Sequence, residues 1–295
     1  MSTLLDPKVL MAIKELPLRA KTTVDGFLTG INRSNIKGPG LEFSQYRSYQ
    51  PGDDLRWLDW KMFARSDRYY IRESEVDTNV SIRLLIDASA SMNHEDNGYS
   101  KIDFAKWIAA SLAYLAHRQG DAVGLHILCN AALYTLPAKQ DHQHMSRLYF
   151  QLEQLKAAGQ FTSPAGYREI FSSSAKRELV IVLTDFYQQE DELIRLLNSL
   201  VLMKHEIIVF QLLGRNEMDM NYPGYSAVED LETGTVIRLD NKADVKQYKQ
   251  RLQDHLATLR TRLLDMNIYY RLLLMDQPLD QALRDFLNQR NKSRA

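Results

Sequence analysis

From about residue 80 onward the chain alternates two hydrophobic textures. Short, nearly continuous apolar runs at Ile82–Ile86, Ala122–Leu128, 178–184 (ELVIVLT), His205–Leu213 and Ile268–Leu274 predict buried strands. Between them lie longer segments whose apolar residues recur at helical spacing. Lys101–Gln119 is apolar nearly all round, through Ile102, Ala105, Ile108, Leu112 and Leu115, and so predicts a buried helix. Asp141–Lys156, Glu190–Leu202, Lys242–Asp265 and Pro278–Leu287 predict amphipathic helices, and a further helix follows the 159–164 loop to about Ala175. Ala131–Leu136 is expected to pair with Ala122–Leu128, and Tyr225–Asp240 to form a hairpin inserted in a region of about 214–240. Strand alternating with helix argues an α/β fold with a doubly wound, mostly parallel sheet over 80–295.

The first 79 residues differ. Leu5–Leu16 keeps helical spacing up to Pro17, and Ala20–Asn32 predicts a second, weaker helix. The loop Asn35–Gly40 separates these from a strand-rich stretch with a Pro51-Gly52-Asp53-Asp54 turn. Together they predict a small helical and strand-rich N-terminal subdomain, 1–79, with Trp57 and Trp60 as packing residues.

Composition narrows the function. Thirty-seven Lys and Arg balance 37 Asp and Glu, so no global field draws the chain to nucleic acid or an anionic membrane. Cys129 is the only cysteine, which excludes an internal disulfide and fits a reducing compartment. The N-terminus lacks the pattern of a signal peptide, and no window reaches the ~18–20 apolar residues of a membrane span. A cytoplasmic protein is expected.

The chemistry gathers at strand ends. The run Ile82–Ile86 stops at Asp87, with Ser89 and Ser91 at alternate positions after it, and the 178–184 run stops at Asp185. In a parallel sheet these ends meet at the carboxyl edge, where ligands bind in open α/β folds. Thr162 and Ser163, in a loop before a helix, are a third contributor. Two carboxylates and three hydroxyls suit a hard divalent cation that stays electrophilic. The structural alternative is a helix cap or Asx turn, which the same residues favour. His142-x-His144 has no Cys or acidic partner at ligand spacing, and no phosphate loop, nucleophile elbow or zinc-protease motif occurs.

The Asp87-x-Ser89-x-Ser91 motif resembles the metal-ion-dependent adhesion site of von Willebrand factor type A domains. The resemblance implies a magnesium, manganese or calcium site formed by Asp87, Ser89, Ser91, Asp185 and Thr162, or Ser163 beside it. Upstream, Gly40-Leu41-Glu42-Phe43, Tyr46-Arg47-Ser48-Tyr49, Pro51-Gly52-Asp53-Asp54, Arg56, Asp59-Trp60 and Ala64-Arg65 resemble the bacterial "domain of unknown function 58" family. In that family this segment precedes a type A-like domain. Its members are linked with MoxR-type AAA+ ATPases in the assembly or maturation of other proteins. That implies a non-enzymatic interaction module whose partner presents an acidic residue, the candidates being such an ATPase or its client. An enzymatic alternative is a magnesium-dependent phosphohydrolase with Asp87 as nucleophile, although that chemistry commonly uses a second Asp where this chain has Ser89.

Overall fold

The computed structural model describes residues 7–33, 45–49, 60–66, 68–73, 80–128, 134–161, 177–188, 191–222, 226–229, 236–238 and 242–294. Its centre is a six-stranded sheet. In chain order the strands are β1 (Ser81–Asp87), β2 (Ala122–Leu128), β3 (Tyr134–Lys139), β4 (Leu179–Thr184), β5 (Glu206–Leu213) and β6 (Tyr269–Leu274). In space they run β6-β5-β4-β1-β2-β3, all parallel except β3, which lies antiparallel on β2 at one edge. Pro137 lies in this edge strand, where a missing N–H is tolerated.

The order explains where the crevice opens. From β1 the chain crosses through helix Lys101–Arg118 to β2 on one side; from β4 it crosses through Glu192–Leu202 to β5 on the other. Right-handed crossovers in opposite directions put their helices on opposite faces. One face packs Leu85, Val182 and Val209 under the helices Glu192–Leu202 and Lys242–Asp265. The helix Lys101–Arg118 contributes the fully buried Phe104 and Trp107. The switch point thus falls between the neighbours β1 and β4, at their carboxyl ends.

Two expectations are corrected. Pro17 does not end a helix: it lies in the first turn of Leu16–Arg33, where its absent N–H costs no hydrogen bond, and the helix before it, described over Pro7–Met11, stops at Met11. Nor do residues 1–79 form one unit. The chain divides into Met1–Thr29 with Val80–Ala295, and Gly30–Asn79. Most of helix Leu16–Arg33 goes with the sheet because its stripe of Leu16, Ala20, Val24 and Phe27 is buried there. The Trp107 indole N–H also donates to Thr23 Oγ1 at 2.8 Å, and the Arg284 guanidinium lies 5.5 Å from the Phe27 ring centroid.

In the second unit, Gln45–Ser48 pairs antiparallel with Tyr70–Glu73, beside a short helix Trp60–Ser66. Phe63 stacks on Tyr69 at 4.5 Å, while Trp60 stays 62% exposed and meets Phe63 edge-on. The strands Ala227–Glu229 and Val236–Arg238 form the expected antiparallel pair. Among the described residues no helix is long and apolar enough to cross a membrane.

Candidate functional site

Asp87 is the last residue of β1 and is fully buried. Its backbone neighbours are pinned on both sides. The Ala88 N–H donates to Leu128 O at the end of β2, the Ala158 N–H to Ala88 O, and the Ala90 N–H to Gly159 O, at 2.8–2.9 Å. Ser89 is extended, at φ −66° and ψ 163°, and starts a short 3-10 turn, Ala90–Asn93. This turn directs both serine hydroxyls to one point: Ser89 Oγ and Ser91 Oγ are 3.1 Å apart, with Ser89 0% and Ser91 7% exposed.

The neighbouring strand supplies the rest. Ile86 is in register with Leu183, so Thr184 stands beside Asp87 and Asp185 one step further out. Asp87 Oδ1 accepts from the Ser89 N–H at 3.0 Å; Oδ2 accepts from the Thr184 hydroxyl at 2.7 Å and Gln188 Nε2 at 2.6 Å. Burial and then the Asp185 charge push the Asp87 pKa up to about 6, against the lowering effect of the Thr184 and Ser89 hydrogen bonds.

After Asp185 the backbone turns sharply. Phe186 adopts φ +59°, a left-handed conformation uncommon for a bulky residue, held by its N–H to Thr184 Oγ1 and by its ring packed among Leu193 and Leu197. That turn sends Asp185 toward the helix Lys101–Arg118. There Lys101, 1% exposed, donates to Asp185 Oδ2 at 3.0 Å and Glu217 Oε1 at 2.7 Å, with its ammonium 5.3 Å from the Tyr187 ring centroid. Burial pulls the ammonium's pKa down, but Asp185 and Glu217 outweigh it and hold it above the ordinary lysine value. Glu217, in the short helix Arg215–Asp219, also accepts from the Gly214 N–H.

The structure therefore brings Asp87, Ser89, Ser91 and Asp185 to one rim. Thr162 and Ser163, like Cys129, lie outside the described residues; the described chain reaches Phe161, two residues after Gly159, whose carbonyl accepts the Ala90 N–H. Lys101, Glu217, Thr184 and Gln188 were missed. A signal for Lys101 existed, since it shares the apolar helical stripe of Ala105 and Ile108 at spacings of four and seven. His142-x-His144 is not a ligand pair: the His144 ring hydrogen-bonds Val123 O at 2.6 Å, while His142 faces His117.

The donor set fits a hard divalent ion. Adjacent ligands of octahedral magnesium lie about 3.0 Å apart and those of calcium about 3.4 Å, from metal–oxygen distances of ~2.1 and ~2.4 Å. The 3.1 Å hydroxyl pair lies between them. Among the described residues Asp185 and Glu217 pair with the ammonium of Lys101, while Asp87 feels the Asp185 charge, which leaves negative charge in surplus for such an ion to neutralise. Asp87 Oδ1, with one hydrogen bond, and the two serine oxygens could hold it directly.

The chain has relatives among known proteins. It is 28% identical over 239 residues to the uncharacterized protein Rv1480 of Mycobacterium tuberculosis, covering 78% of this chain and 73% of that protein. An uncharacterized Mycobacterium bovis protein, Mb1516, matches equally. Among solved structures it is similar to the conserved hypothetical protein BatB from Bacteroides thetaiotaomicron, at 18% identity and a TM-score of 0.49 over 73% of this chain and 98% of that one. It is also similar to the SpRpn10 VWA domain, at 14% identity and a TM-score of 0.41 over 72% and 95% of the two chains. A family model covers residues 45–258, and on that match the chain belongs to the family described as "Protein of unknown function DUF58".

Proposed function

We propose that this protein is a metal-ion-dependent protein-interaction module. In this reading Asp87, Ser89 and Ser91 hold a magnesium, manganese or calcium ion, and Thr162 and Asp185 complete its surroundings. The bound ion supplies Lewis acidity for an acidic side chain of a partner. The chain's own part is to place neutral hydroxyls beside one buried carboxylate, so that little of the ion's charge is quenched. The partner is a MoxR-type AAA+ ATPase or its client in the cytoplasm, and no catalytic step is involved. The observation that carries the reading is the convergence of two buried serine hydroxyls on the buried Asp87, next to Asp185 on the neighbouring strand.

The phosphohydrolase alternative gains no support. Asp87 Oδ2 already accepts two hydrogen bonds, and position 89 offers a hydroxyl where a second carboxylate is wanted.

The test is a pull-down of a MoxR-type ATPase with the full chain, with and without chelator, alongside thermal melts in magnesium and manganese. A ligand that binds only the native state must raise its melting temperature. Metal-dependent stabilisation and capture, both lost in Asp87→Ala, are expected. Melts unchanged at millimolar metal, with equal capture in chelator, would sink the proposal.

A further inference from the structure

The ammonium of Lys101 is the most deeply enclosed positive charge described near the rim, and it belongs to the chain itself. It lies between two carboxylates on different elements, Asp185 after β4 and Glu217 in the helix after β5, and is covered by the Tyr187 ring. Both Asp185 oxygens are engaged, Oδ2 by Lys101 at 3.0 Å and Oδ1 by the Tyr187 N–H at 3.3 Å. Asp185 is thereby restrained from swinging onto an incoming ion.

We propose that Lys101 is a resident cation of the rim, holding Asp185 in place and, together with Glu217, setting by charge how tightly an external ion is held there. This rests on the cation-binding reading above and deepens it. With all groups ionised, three carboxylates (Asp87, Asp185, Glu217) and one ammonium leave two negative charges in surplus, matched by one divalent ion. His94 also faces Glu217, with Nε2 at 3.7 Å from Oε2 and at 3.0 Å from Asn216 Oδ1, and the phenols of Tyr187, Tyr222 and Tyr248 feel the Glu217 charge. Charges this close act on an ion through a poorly screened medium, so adding or removing one moves affinity strongly. Lys101 is a positioning residue here: it holds Asp185 and subtracts from the local charge without touching the ion.

The test is magnesium titration by calorimetry, repeated with manganese, on the full chain and three variants. Glu217→Gln removes one negative charge and should weaken binding about tenfold, while Lys101→Met should tighten it by about the same factor. Lys101→Met leaves buried carboxylates without their partner and can fail to fold. Lys101→Met/Glu217→Gln leaves only Asp185 without its partner and should bind more tightly than Glu217→Gln alone. A merely structural role would shift melting temperatures without this opposed pair of affinity changes. Wild-type binding with Glu217→Gln and the double variant both within about twofold of it overturns the role of Lys101 and leaves the cation reading standing. No binding by the wild type overturns both.

Discussion

The Thr184 hydroxyl donates to Asp87 Oδ2 at 2.7 Å and accepts the Phe186 N–H at 3.0 Å, so one side chain joins the ends of two neighbouring strands. Burial beside Asp185 nevertheless leaves the Asp87 pKa at about 6, above its ordinary value. A carboxyl raised in the folded state stabilises most below its unfolded pKa, and that stability is lost as pH rises through about 6. Asp87→Asn should therefore stabilise the metal-free protein above that pH by about 1–3 kcal/mol and do little near pH 4. Urea denaturation across pH in chelator measures this; equal stability of the two proteins at pH 8 would contradict it. His126 works in the opposite sense. Burial, then Arg83, lower its pKa to about 3, so its contribution is complete above its unfolded pKa and is lost as pH falls toward 3. The Asn variant should expose that acid-side loss.

Thr23 should prove a hinge pin for the N-terminal helix. Its hydroxyl accepts from the buried Trp107 indole and donates to Arg19 O. Thr23→Val leaves the indole N–H without its acceptor, at a cost of about 1–3 kcal/mol. Limited proteolysis should then cut within residues 7–33 sooner than in the wild type; an unchanged cleavage rate would argue against this anchoring.

Gly124 marks the tightest approach in the sheet. A Cβ there would lie 2.9 Å from both Ala138 N and Leu136 O, backbone atoms of β3 at the point where its register with β2 shifts. Gly124→Ala must push the edge strand away and should cost about 1–3 kcal/mol. The melting temperature checks it, and a neutral substitution would mean that β3 yields freely.

Much of this architecture was legible because the central strands carry apolar residues on both faces. Leu84, Leu85 and Ile86 are all fully buried, and such runs stand out in one dimension. Their polar ends, Asp87 and Asp185, were visible for the same reason. Glu217 was not, since a glutamate between predicted elements looks solvated until long-range packing encloses it, and Lys101 showed only through its place on the apolar helical stripe of Ala105 and Ile108. Pro17 misled through a local rule: a proline stops one helix and starts another equally well, and only the burial of Leu16 and Ala20 decides between these.

The placement of the two site-bearing strands has a consequence for how the molecule breathes. β1 and β4 are each flanked on both sides, so their amides are shielded by neighbours that must leave first. Hydrogen exchange at Ile82–Ile86 and Leu179–Leu183 then requires the deepest opening, while β3 at the rim can fray alone. The turns that bear Ser89 and Phe186 thus stand on the part of the sheet that opens last.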